Sequence, residues 1–127
     1  MITTMLGFLA GIWISSLQSR YTGDSGNIIW LHGFALHGIQ TVPLIAWLLE
    51  KQDRYKGKAL LHAAGVSWIL CIVCIGIQTL LGFPIFELSL FPLLTLFFLI
   101  CWLFILILVV SKVVSRYAGH KHIDSVL

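Results

Sequence analysis

Long apolar segments alternate with short polar connections along this chain. Four segments are apolar enough to form helices in lipid, and they cover residues 3–17, 28–49, 59–81 and 90–114. At a rise of about 1.5 Å per residue, the last three exceed the roughly 30 Å of a hydrocarbon core, whereas the first barely crosses it. The pattern predicts an all-α polytopic membrane protein, a four-transmembrane-helix bundle that forms one membrane domain over residues 1–127.

The composition favours lipid over water as the surroundings of this bundle. Of the 127 residues, 59% are hydrophobic and only 10% are charged. So few polar side chains could not cover the surface of a soluble domain. The net charge of +3 comes from scattered residues, which argues against nucleic-acid binding because that needs a basic cluster. The lipid bilayer is therefore the first expected partner.

Basic residues predict the orientation of the bundle. Seven of the eight lie either after the second segment or at and beyond the end of the fourth: Lys51, Arg54, Lys56, Lys58, Lys112, Arg116 and Lys121. Because basic residues near membrane spans tend to stay in the cytoplasm, four spans with both termini cytoplasmic account for this distribution. Three spans would place one of the two groups outside. The charge bias therefore favours counting the short first segment, in a multipass protein of the cell membrane.

Small residues recur every fourth position in the first segment: Thr3, Gly7, Gly11 and Ser15. This spacing places them on one helix face, where a neighbouring backbone can approach closely. Gly7, Gly11 and Ser15 are therefore predicted to be helix-packing residues. On an alternative hypothesis, the same face docks a larger membrane protein, and the chain is a non-catalytic accessory subunit.

Three polar side chains interrupt the second segment. On a helical wheel, His32, His37 and Gln40 fall within a sector of about 140°. Ionisable and amide side chains are costly in lipid and usually face the interior of a bundle. This sector of the second helix is therefore expected to point inward.

A matching polar stripe runs along the third segment and contains Ser67, Cys71, Cys74 and Gln78. Counted from the same membrane surface at about 1.5 Å per residue, Gln78 lies level with His32, and Cys74 lies level with His37. We therefore expect the second and third helices to pack face to face through these polar groups, with His37 beside Cys74.

Two kinds of role suit such a stripe. His32, His37, Gln40 and Gln78 could form an outward-opening site for a small polar ligand, such as a quinone headgroup, or a proton relay. Alternatively, they are hydrogen bonds between helices. A haem held by two histidines of one chain is not expected because His32 and His37 point about 140° apart on one helix. A haem with a single axial histidine, or one shared between chains, stays open, and no metal site with recognisable ligand spacing is present.

Cys71 and Cys74 form a C-x-x-C pair. In redox enzymes one thiolate of such a pair attacks and the other resolves. Small four-helix membrane oxidoreductases that pass electrons from thiols to quinone use such a pair, and they resemble this chain in size and span number. The pair lies within an apolar segment, however, so buried packing thiols are the competing interpretation.

The segment 26–44 resembles bacterial multipass integral membrane proteins of unassigned function. In that family a polar connection leads into a transmembrane helix carrying His-Phe-x-Gly-x-His-x-x-Gln-x-x-Pro. Here His32, His37, Gln40 and Pro43 stand at the corresponding positions.

The chain departs from that motif at two positions inside the helix, where Gly33 replaces the phenylalanine and Ala35 replaces the glycine. Asn27-Ile28-Ile29 also replaces a charged pair that precedes the helix in the family. The resemblance implies a bacterial cytoplasmic membrane and a histidine–glutamine unit in the second helix. It assigns no activity and no cofactor, and it leaves a membrane protein partner or a homo-oligomer as the expected assembly.

Overall fold

The computed structural model describes residues 1–51 and 57–124, with side chains described up to residue 116. It contains the helices α1 (Ile2–Leu17), α2 (Ile28–Glu50), α3 (Lys58–Leu80) and α4 (Leu90–Asp124). The predicted all-α fold with four helices is confirmed. In the described part of the chain, α2, α3 and the Leu90–Arg116 part of α4 are long and apolar enough to cross a membrane, whereas α1 is a shorter apolar helix. These helices indicate a membrane location.

The last helix continues about ten residues beyond its predicted end. It continues past residue 114 because residues 111–118 contain no glycine or proline that would end a helix, and it passes Gly119 to reach Asp124. A short antiparallel hairpin, β1 (Tyr21–Thr22) and β2 (Gly26–Asn27), lies between α1 and α2 and was not expected. Of the basic residues that predict orientation, Arg54 and Lys56 lie outside the described residues, as does the side chain of Lys121.

Each helix packs against the next one along the chain, since short connections make successive helices antiparallel neighbours. Helix α1 packs against α2, α2 against α3, and α3 against α4, while α2 also touches α4. We call the end of the bundle that carries the β1–β2 hairpin the hairpin end. The connection between α3 and α4 lies at that same end.

The apolar core lies among α2, α3 and α4. One cluster, away from the hairpin end, is formed by Ile45, Leu49, Ala64, Ile105 and Val109. A second surrounds Trp68, whose ring stacks on Phe34 with centroids 5.7 Å apart and meets Trp102 edge-on at 5.2 Å. The indole N–H of Trp68 donates to the Phe34 carbonyl at 3.1 Å. The Trp68 ring is thus packed between two aromatic rings, and the hydrogen-bond donor of its indole is satisfied inside the bundle.

The hairpin is fastened to the end of α3 by a close contact between two glycines. Gly23 and Gly82 have φ angles of 55° and 76°, and a Cβ atom on Gly82 would lie 2.9 Å from the Gly23 Cα. The Ser25 amide donates to the Gly82 carbonyl at 3.1 Å. The Thr22 hydroxyl donates to the Thr79 carbonyl at 2.5 Å. These contacts, which we call the hairpin clamp, join the α1–α2 connection to the start of the α3–α4 connection.

Candidate functional site

The small-residue face of α1 packs directly against α2. Thr3 and Gly7 are buried. A Cβ atom on Gly7 would lie 2.8 Å from Leu36 Cδ2, and one on Gly38 would lie 2.6 Å from the side chain of Thr3. The close approach of the two helices therefore requires glycine at these positions. Gly7 thus lies in the α1–α2 interface, as the spacing predicts for a packing residue, and Gly38 of α2, which the spacing does not single out, lies there too.

Gly11 and Ser15 lie towards the edge of this interface. A Cβ atom on Gly11 would lie 3.3 Å from the ring of His32, so Gly11 does meet α2. Ser15 is exposed, and its hydroxyl donates to the Gly11 carbonyl within α1 at 3.0 Å. Thr3 and Gly7 are thus buried and Gly11 meets α2, which leaves Ser15 as the exposed position of the small-residue face. This arrangement does not favour the alternative in which that face docks a larger membrane protein.

His32 joins α2 to α1. Its Nδ1 lies 2.8 Å from the Gly7 carbonyl oxygen. A carbonyl oxygen only accepts, so Nδ1 carries the proton and donates in this bond. The imidazole is half-buried against α1. His32 therefore acts in the fold as an interhelical hydrogen-bond donor.

His37 and Gln40 form a pair on the outward surface of α2. His37 Nδ1 lies 3.3 Å from Gln40 Oε1, and both residues are exposed. At about 1.5 Å per residue they lie about 14 and 18 Å from the start of a helix about 34 Å long, close to its middle. With Nδ1–H donating to the amide oxygen, His37 Nε2 remains an acceptor and the Gln40 amide retains two N–H donors.

Gln78 is buried at the hairpin end, where both the nitrogen and the oxygen of its amide are hydrogen-bonded. Its amide nitrogen donates to the Pro84 carbonyl at 3.0 Å, and its amide oxygen accepts from the Ser89 hydroxyl at 3.1 Å. Only 1% of the residue is exposed. Gln78 thus holds the connection between α3 and α4 in place, and it contacts neither of the α2 histidines through a hydrogen bond.

The cysteines of the C-x-x-C pair face α4. Cys71 and Cys74 are both buried and free, and the Cys71 thiol donates to the Thr95 carbonyl of α4 at 3.5 Å. Thiol–disulfide exchange requires access by a second thiolate. Burial between two helices therefore gives this pair the geometry of packing residues.

The expectation that the polar stripes of α2 and α3 face each other is wrong. The stripe of α3 is directed at α4 and at the α3–α4 connection, and His32 is directed at α1. His37 is exposed while Cys74 is buried, so they are not a central pair. The residues that α2 buries are apolar or small instead: Ile28, Ala35, Gly38, Ile45 and Leu49.

The four residues predicted for a ligand site or relay therefore lie in three places, since His32 contacts α1 and Gln78 holds the α3–α4 connection, while His37 and Gln40 stay together. Within the described part of the chain, no three His, Cys, Asp or Glu side chains are grouped as metal ligands would be. Among the residues predicted for a ligand site or relay, the exposed His37–Gln40 pair combines unused hydrogen-bonding groups with open access. Comparison with protein-family models, curated proteins and solved structures finds no match to this chain.

Proposed function

We propose that this chain is a four-span protein of the cytoplasmic membrane that works by associating with another membrane-embedded helix through the outward face of α2. Both termini lie in the cytoplasm in this arrangement. The apolar lengths of α2, α3 and α4 support the insertion. The concentration of basic residues after the second and fourth segments supports the orientation.

The observation that carries this proposal is the exposed His37–Gln40 pair near the middle of α2. In a bilayer this position faces hydrocarbon, where imidazole and amide groups lose hydrogen bonds to water and gain none. Polar side chains at such positions are satisfied when a second helix covers them. An accessory or assembly role therefore fits this face better than a catalytic role.

An intramembrane proton relay has less support, because His32 and Gln78 lie apart from the His37–Gln40 pair. The bond between His32 and Gly7 and the two bonds of Gln78 use groups that a relay would need. An oxidoreductase that uses Cys71 and Cys74 would need an access route to buried thiols.

The double variant His37→Leu/Gln40→Leu tests the association. We expect wild-type protein, extracted in mild detergent, to migrate on native gels as a complex, and the double variant to migrate as the free chain. The double variant should still unfold in one cooperative thermal transition, because leucine suits the lipid-facing surface and leaves the fold of the single chain intact.

A matched control is Ile39→Leu, since Ile39 is 50% exposed on α2 but lies outside the His37–Gln40 face. This variant should retain the complex. Wild-type protein that migrates as a monomer, or a double variant that keeps the complex, would contradict the proposed function.

A small carbonyl ligand such as a quinone headgroup is the second candidate for the same pair. The free N–H donors of Gln40, from which a quinone carbonyl can accept, are accessible sideways from lipid without any opening of the bundle. A monomeric wild type that retains quinone after purification, together with a double variant that does not, would favour this candidate over association.

A further inference from the structure

The outward face of α2 has the spacing of a coiled-coil seam. Gly33, His37, Gln40, Leu44 and Trp47 follow one another at intervals of 4, 3, 4 and 3 residues. This is the alternation of a and d positions in a heptad repeat, which brings two helices together along a left-handed seam. We call these five residues the α2 seam. All five are exposed or half-exposed, so in the part of the chain that the structure describes no other helix buries them.

The seam also has room for a close neighbour. A Cβ atom on Gly33 would have no atom of the described residues within 4 Å. Leu44 and Trp47 are 44% and 53% exposed. Gly33 lets a second helix approach the backbone of α2 closely at one end of the seam. At the other end, the second helix would pack around Leu44 and Trp47.

We infer that the helix covering the α2 seam is α2 of a second copy of this chain, in a parallel homodimer. This inference rests on the proposed function and names its partner. Two copies inserted with the same topology are related by a twofold axis along the membrane normal. Their α2 helices therefore run parallel, and each seam residue meets its own equivalent or the adjacent layer.

The hydrogen-bonding groups of the seam are complementary to themselves. Each copy holds one bond internally, from His37 Nδ1 to Gln40 Oε1. Each then offers one acceptor, His37 Nε2, and two amide N–H donors on Gln40. In the parallel pair, the Gln40 amide of each copy donates to His37 Nε2 of the other, which forms two symmetric bonds. An all-apolar partner helix would leave all of these groups unsatisfied, whereas a second copy supplies the matching set.

Cysteine cross-linking in membranes tests this pairing. In a Cys101→Ala background, which removes the half-buried thiol of α4, Leu44→Cys should form a disulfide-linked dimer under mild oxidation. Ile39→Cys is the matched control because it is similarly exposed on the same helix but lies off the seam. We expect its dimer yield to be at least about tenfold lower. Adding His37→Leu/Gln40→Leu to Leu44→Cys should weaken the dimer by about tenfold, since both symmetric hydrogen bonds are lost.

The outcomes separate the homodimer from the proposed function. Equal cross-linking of Leu44→Cys and Ile39→Cys would reflect random collision and would overturn the homodimer. A native-gel complex that depends on His37 and Gln40, without a Leu44→Cys homodimer, would also overturn it and assign the seam to a different protein, while the proposed association stands. The absence of both the complex and the cross-link would overturn both.

Discussion

The two histidines of α2 share a helix but have different surroundings. His32 donates to a backbone carbonyl on α1, and that bond crosses between helices inside the fold. His37 bonds only to Gln40 of its own helix and remains exposed. Because hydrogen bonds between helices in lipid stabilise by about 0.6–2 kcal/mol, His32 contributes to the fold of one chain. The proposed second partner of His37 is Gln40 of another copy of the chain.

Replacing His32 by leucine should loosen α1. The change removes the donor to the Gly7 carbonyl, and we expect the free energy of unfolding to fall by about 1 kcal/mol. Titration with a denaturing detergent, followed by tryptophan fluorescence, measures this change.

The variant His32→Asn is the control for that experiment, because the asparagine amide nitrogen stands near the position of Nδ1 and still donates. It should recover part of the lost stability. Equal losses in His32→Leu and His32→Asn would show that the shape of the ring, and not the hydrogen bond, holds α1.

At the scale of the helices, α1 depends on glycines for its attachment. It is a helix of 16 residues that packs mainly against α2. Its buried surface is provided by Thr3, Gly7 and Ala10, whereas Phe8, Leu9 and Ile12 are exposed. With so little side-chain volume at the interface, the attachment of α1 relies on backbone proximity and on the His32 bond.

Gly38→Ala should therefore displace α1. The new methyl group would lie 2.6 Å from atoms of Thr3, and overpacking of this kind costs about 1–3 kcal/mol. The loss is measurable as a lower midpoint in detergent denaturation and as faster proteolysis of α1.

Gly65→Ala provides the matched comparison within α3. A Cβ atom at Gly65 would meet nothing within 4 Å, and alanine favours the helix by up to about 1 kcal/mol. It should be neutral or stabilising. If Gly38→Ala were as harmless as Gly65→Ala, the close α1–α2 approach described above would be incorrect.

At the scale of the whole molecule, the hairpin clamp connects parts of the chain that are far apart in sequence. It holds the α1–α2 connection against the end of α3 through Gly23 and Gly82, and Gln78 holds the following connection to α4. At the opposite end, the Arg116 guanidinium donates to the Lys51 carbonyl at 3.2 Å and links α4 to the end of α2. These contacts hold the helices together at both ends of the bundle. The exposed His37–Gln40 pair lies between the two ends, near the middle of α2.

Gly82→Ala should release the clamp. The residue has a φ of 76°, which costs a non-glycine residue about 1–2 kcal/mol, and its Cβ would also approach the Gly23 backbone. We expect lower stability together with increased protease sensitivity of residues 19–27. Gly76→Ala, whose Cβ would lie at an ordinary 3.6 Å from Leu31, should change neither property. Similar behaviour of the two variants would argue against the clamp.

The sequence by itself determined the number of helices, their type and most of their ends. These features depend on runs and spacings within one segment, because an apolar stretch forms a helix in lipid whatever its neighbours are. Runs and spacings within one segment did not predict the extension of α4 or the hairpin clamp. The clamp requires two glycines from distant parts of the chain to meet.

Only the tertiary structure decided where the polar side chains of α2 and α3 point. A helical wheel gives angles about one helix axis and depth along it, so it places His37 level with Cys74 without showing which neighbour lies on either side. Packing set the rotation of α2 about its own axis. Helix α2 buries Ala35, Gly38 and Ile45, because close contact of these side chains with the neighbouring helices gains dispersion energy. His32 was thereby turned to α1, and His37 and Gln40 were left on the outer surface.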